Sequence, residues 1–158
     1  MTVSIKFSYI WSHEWNRLHG HESQGEQQLW HTCNINSLPL NVKHPFYLLC
    51  GALASDFYPN HPEHCDFVLQ KIAQIESGEI EEYMWEGQGF LHYIKPDSVL
   101  FEHNIFGECP EWPLWSCSLA QYKAALLGWK KFIEMPKSID SEFIVELPDD
   151  GSSNFPHS

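Results

Sequence analysis

The stretch that decides the fold is Ile80-Glu-Glu-Tyr-Met-Trp-Glu-Gly-Gln-Gly-Phe-Leu-His-Tyr-Ile-Lys-Pro-Asp-Ser-Val-Leu-Phe-Glu-His-Asn-Ile-Phe106. It reads as three short runs, Ile80–Glu86, Gly89–Ile94 and Val99–Phe106, separated by Gly87-Gln88-Gly89 and by Lys95-Pro-Asp-Ser98. Both separators are turn chemistry, and turns this short join antiparallel neighbours, so the segment predicts a meander. In the last run Val99, Phe101 and Ile105 alternate with Glu102 and Asn104, as in a strand with one buried face.

Outward from this core, Trp115–Ser118 predicts a further short strand, and Ser118 an N-cap with Gln121 in the capping-box position. The helix that follows carries Tyr122, Leu126, Trp129 and Ile133 on one stripe, with Ala125 and Phe132 beside it, and ends at Pro136. Lys130 and Lys131 complement its C-terminal dipole. Phe143–Leu147 predicts a last strand on a sheet edge. Upstream, two helices are expected. One starts at Pro45 with Phe46, Leu49, Leu53 and Phe57 on its inner side. The other starts near Pro62, with Phe67, Val68, Leu69, Ile72 and Ile75 inward and a stop at Ser77-Gly78. At the start, Val3, Ile5, Phe7 and Tyr9 alternate with Ser4, Lys6 and Ser8, a strand. Residues 12–28 read as a polar loop ordered by Trp11 and Trp15, Leu29–Asn36 as a short strand, and Ser37–Pro45 as extended. The expected architecture is α+β: an antiparallel sheet of five to six strands packed with three helices. It forms a single domain over residues 1–147, followed by a flexible acidic and polar tail over 148–158.

The chain of 158 residues has 43% apolar residues and 15% aromatics, enough for a real core. The N-terminus has no signal-peptide pattern and no apolar run is long enough to span a bilayer, so a cytoplasmic protein is expected. Five cysteines (Cys33, Cys50, Cys65, Cys109 and Cys117), an odd number without CxxC spacing, fit reduced and mostly buried thiols. In the loop Cys109–Trp115 the tryptophans are expected to close the core.

The formal charge is −12, with 21 acids against 9 bases, of which only Arg17 is an arginine. That excludes nucleic acid as a direct ligand, since phosphate binding needs clustered Lys and Arg, and disfavours an anionic membrane surface. The charge is uneven. Residues 63–111 hold eleven acids against Lys71 and Lys95, which is −9 of the total. Five acids crowd between Glu76 and Glu86, with Tyr83 and Trp85 interleaved. For one glutamate the plain reading is a solvated face. For the cluster, a docking surface for a cationic protein uses both the field and the aromatic contact area.

Specific catalytic signatures are missing: there is no GxSxG, P-loop, dinucleotide-binding glycine pattern or HExxH. Glu81 and Glu82 are expected on opposite faces of a strand, poor geometry for shared acid–base work. The densest histidine group is His61-Pro-Glu-His64-Cys65, which offers imidazole and thiolate but no recognised ligand motif, so neither metal nor cofactor is expected. A Cys–His site would have to draw Cys109 or Cys117 together with His92 or His103, which no local signature ties together.

Residues 78–136 carry a further pattern: Tyr83-Met-Trp85-Glu-Gly-Gln-Gly89, then Lys95-Pro-Asp97, then Val99-Leu-Phe101-Glu-His-Asn104, then the helix Ser118–Ile133. This order of hairpin, strand and amphipathic helix resembles small bacterial immunity proteins of polymorphic toxin systems, including contact-dependent growth inhibition. The resemblance implies a cytoplasmic, non-enzymatic inhibitor of a delivered toxin domain, often a nuclease with a basic cleft. No shared catalytic motif comes with it. The contact residues are therefore expected from charge alone: Glu76, Glu79, Glu81, Glu82, Tyr83, Trp85, Glu86 and Glu102. The competing reading is a small metal- or cysteine-dependent hydrolase built on His61, His64 and Cys65.

Overall fold

Strand β1 (Thr2–Ser12) begins the fold, and its alternation has the expected consequence. Ile5, Phe7 and Tyr9 are buried while Ser4, Lys6 and Ser8 are only half-buried. The computed structural model describes residues 2–12, 28–35, 46–105, 107 and 114–148. Residues 13–27 of the expected loop, the segment Ser37–Pro45, residues 109–113 and the tail from residue 149 fall outside these; Ser12, Gln28 and Pro148 are end residues of strands instead.

β1 is the central strand of a three-stranded antiparallel sheet. On one side lies β2 (Gln28–Ile35) and on the other β7 (Glu142–Pro148), which is therefore an edge strand as expected. The register sets Phe7 opposite Cys33 in β2 and opposite Phe143 in β7. A second sheet is the expected meander: β3 (Tyr83–Glu86), β4 (Phe90–Ile94), β5 (Ser98–His103) and β6 (Trp115–Ser118), each antiparallel to the next. Three helices complete the α+β fold: α1 (Phe46–Asp56), α2 (Pro62–Glu76) and α3 (Leu119–Ile133). Class and helix count agree with expectation. The strands number seven among the described residues and divide into two sheets, because β1 finds its partners at distant points of the chain while the meander closes on itself through short turns.

One buried cluster joins both sheets and all three helices. Its centre is Trp129 of α3. The indole N–H donates to the Phe57 carbonyl at 2.7 Å, and the ring meets Phe7 edge-on at 5.0 Å. α3 starts as expected: the Ser118 hydroxyl accepts from the Gln121 N–H at 3.0 Å and the Gln121 side chain accepts from the Ser118 N–H at 2.9 Å. α2 ends at Gly78, whose φ of +78° is a left-handed conformation that a residue with a Cβ resists.

Three local expectations change. The buried stripe of α2 is Cys65, Val68, Ile72 and Ile75, while Phe67 is 40% exposed at the rim. Its place is set by Tyr83 at 5.7 Å and by the Lys71 ammonium 5.2 Å from its ring, a cation–π contact that favours partial exposure. β5 ends at His103, so Ile105 lies in a turn and is exposed. β3 begins only at Tyr83, because the Glu79 and Ile80 N–H groups both donate to the Gln74 carbonyl and close α2; Glu81 and Glu82 therefore precede the strand. Among the described cysteines, Cys33, Cys50, Cys65 and Cys117 are buried and unbridged, as expected. Trp115 is fully buried and stacks on Phe101 at 5.3 Å.

Candidate functional site

The acidic segment lies along one edge of the four-stranded sheet. β3 is the edge strand, and its residues alternate: Tyr83 and Trp85 are half-buried, Met84 and Glu86 exposed. Register separates the two faces. Trp85, His92, Phe101 and Trp115 are cross-strand neighbours on the inner face. Met84, Tyr93, Leu100 and Ser116 form one row of the outer face, and Glu86, Leu91 and Glu102 the next. The outer side chains Met84, Leu91, Tyr93 and Leu100 are half-buried or exposed. Glu82, Glu86 and Glu102 sit among them, and the Tyr93 hydroxyl donates to Glu102 at 3.2 Å. A shallow hollow at this edge is lined by Glu82, Met84, Tyr93 and Lys95.

The expected contact residues therefore divide. Glu82, Glu86 and Glu102 come together on or beside the outer face. Glu76 ends α2 and pairs with Lys123 of α3 at 2.9 Å, and Glu79 and Glu81 are exposed in the connection that follows. Tyr83 and Trp85 belong to the inner face. Trp85 stacks on Phe57 at 5.7 Å with ring planes 5° apart, and Tyr83 leans on Phe67. A period of two explains this: on a strand, an aromatic next to a carboxylate points the opposite way. Met84 and Tyr93, which charge counting passed over, supply the apolar area on the acidic face.

Beneath the inner face lies a buried polar chain that the sequence reading missed. Asp56 Oδ1 accepts from the Gly89 N–H at 2.7 Å and the Ser55 hydroxyl at 2.8 Å. Its Oδ2 accepts from the Phe90 N–H at 3.2 Å and lies 2.6 Å from His92 Nε2. His92 Nδ1 lies 2.9 Å from the Tyr122 hydroxyl. Burial pushes the Tyr122 phenol well above its ordinary pKa, so it remains a donor. His92 Nε2–H donates to the Asp56 carboxylate, and the Tyr122 hydroxyl meets the other ring nitrogen. The side chains of His92 and Asp56 have no exposed surface, so no substrate reaches them; the chain is a structural clamp. Gly87 and Gly89 allow it, since a Cβ on Gly87 would stand 2.2 Å from Asp56 Cγ. The glycine turn thus cradles the protein's own carboxylate. One signal was legible: an aspartate in the last turn of a helix opposes the helix dipole and needs compensating donors.

The histidine cluster at the start of α2 changes membership. His61 and His64 stack at 5.1 Å, and the third group beside them is Glu63, whose Oε1 lies 2.9 Å from His61 Nδ1. Cys65 is fully buried, and burial, reinforced by Asp66, pushes its thiol up to about 12. Cys65 faces the core rather than the two histidines, so the group of three ligand-capable side chains here is His61, Glu63 and His64. Cys117 is buried too, His92 is committed to the clamp, and Cys109 lies outside the described residues. His61 also borders a cavity of about 720 Å³ between the sheets, with Tyr9, His31, Tyr58, Gln88 and Lys137 in its wall. His31 donates to the Ala54 carbonyl at 2.7 Å, and burial holds its pKa below the usual imidazole value.

Among the described residues, no helix is long and apolar enough to cross a membrane. In comparisons with known proteins, no family model matches this chain, and no curated protein or solved structure matches it either.

Proposed function

We propose that this protein is a non-enzymatic immunity protein that neutralises a cationic toxin domain, binding it through the outer face of the four-stranded sheet. The observation that carries the reading is the composition of that face. Met84, Leu91, Tyr93 and Leu100 form an accessible apolar strip, with Glu82, Glu86 and Glu102 set in and around it. Carboxylates speed the encounter with a basic surface, and the apolar strip slows release once water is expelled. The order of hairpin, strand and capped helix over residues 78–136 is also that of the immunity proteins the sequence resembles. Inhibition is by occlusion: acidic side chains meet the basic cleft of the toxin, a nuclease as the resemblance implies, and exclude its substrate. A stable complex needs about 1,200 Å² or more of buried surface, so the face would act together with neighbouring segments.

The test is binding to, and growth rescue from, the C-terminal domain encoded by the reading frame immediately upstream. Binding that weakens as salt rises, together with rescue, supports the proposal. A domain that is neither bound nor neutralised at physiological salt overturns it. Reversal of the three face carboxylates, Glu82→Lys, Glu86→Lys and Glu102→Lys, is expected to lower affinity at least about tenfold, the scale of one lost charged contact of about 1.4 kcal/mol. Unchanged affinity moves the interface off this face.

A further inference from the structure

The start of α2 holds a second constellation, independent of the acidic sheet face. The ligand-capable atoms of His61, Glu63 and His64 all lie within 4.8 Å of one another, the only such group of three among the described residues. We propose that His61, Glu63 and His64 form a binding site for one divalent ion of the zinc class, with water completing the coordination.

Four observations carry this. The donor set is two imidazoles and one carboxylate, which suits Zn²⁺ better than hard ions such as Ca²⁺ or Mg²⁺. Separations are close to those required: Zn–N and Zn–O bonds of 2.0–2.1 Å put tetrahedral ligands about 3.4 Å apart, and His61 and Glu63 are already at 2.9 Å. Because the His61 and Glu63 side chains are exposed, their rotation toward His64 closes the rest. His61 occupies the N-cap position of α2, yet its imidazole makes no capping hydrogen bond and turns Nδ1 toward Glu63 instead. Finally, His64 is held in place by Trp85, whose ring lies 5.5 Å away, so one ligand is pre-positioned by the core. The helix dipole disfavours a cation here, but the Glu63 carboxylate opposes it locally. Because His61 also borders the 720 Å³ cavity, an ion held here adjoins that space.

The experiment is calorimetric titration of ZnCl₂ into the full chain after removal of metal with a chelator, alongside NMR of the Trp85 indole N–H. One saturable equivalent is expected. His61→Ala and His64→Ala should each weaken it at least about tenfold, as losing a direct ligand costs no less than losing an outer-shell partner. The Trp85 resonance should move until one equivalent is added. Absence of a saturable heat overturns the proposal. So does undiminished binding in the His61→Ala/His64→Ala double variant, which would place the ion on histidines elsewhere. The Trp85 resonance is read on the unmodified chain, so its failure to move overturns the proposal whatever the variants do.

Discussion

Asp56, His92 and Tyr122 show how much one buried polar chain can decide. Four donors converge on a single carboxylate, and each comes from a different part of the local fold: the helix end, the turn, the strand start and the imidazole. Removing one partner strands the others without water. Asp56→Ala should therefore destabilise the fold by about 3–5 kcal/mol in urea denaturation, the cost of breaking a buried pair. Tyr122→Phe keeps the ring and strips only the hydroxyl that meets His92 Nδ1, so about 1–3 kcal/mol is expected. A loss below 0.5 kcal/mol would show that His92 Nδ1 needs no partner. Gly87→Ala should match the Asp56 variant, because its Cβ and the carboxylate cannot share the space. Of these residues only the Gly-x-Gly turn and the unfavourable place of Asp56 at a helix C-terminus were legible in the sequence. Asp56 lies 36 positions from His92, and no local pattern reports a hydrogen bond over that separation.

Among the elements, α3 was the most legible. Its stripe, its N-cap and its basic last turn all depend on residues within four positions of one another, where a helix imposes its own geometry. Ser118→Ala should cost about 1 kcal/mol. Gln121→Ala should cost more, because the same side chain also donates to the Pro148 carbonyl at 2.6 Å and ties α3 to the end of β7. Equal losses would show that this tie contributes nothing. The α2 stripe was read with Phe67 inside because spacing alone places it near Val68 and Leu69. Lys71 and Tyr83 hold it at the rim instead. The acidic edge divides for a similar reason. Proximity in sequence grouped Trp85 with its glutamate neighbours, and the pleat of β3 sends them to opposite faces.

At the scale of the whole molecule, the buried acids of weak acidity set a direction for pH dependence. Burial raises the Cys65 thiol to about 12 and also raises Cys33 and Tyr122. In the unfolded chain these groups ionise nearer their ordinary values, so from about pH 9 upward the unfolded state binds fewer protons than the folded one. Stability should therefore be full below that range and fall as pH rises, by about 1.4 kcal/mol per pH unit for each group that titrates only on unfolding. Urea midpoints at pH 8 and pH 10 measure this, and a midpoint that rises instead would mean the thiols are not held protonated by the core.

The sequence by itself determined the class of structure: three helices, an antiparallel meander, a first strand with one buried face, and the crowding of acids over residues 63–111. Each of these rests on periodicity, turn chemistry or composition, which act over a few residues or over the chain as a sum. Tertiary structure decided the rest. It split the strands into two sheets, chose which face of β3 carries the glutamates, set Asp56 beneath the glycine turn and replaced Cys65 by Glu63 beside the paired histidines. Those outcomes depend on contacts between distant segments and on which side of a strand or helix meets the core, and these are properties of packing rather than of order along the chain.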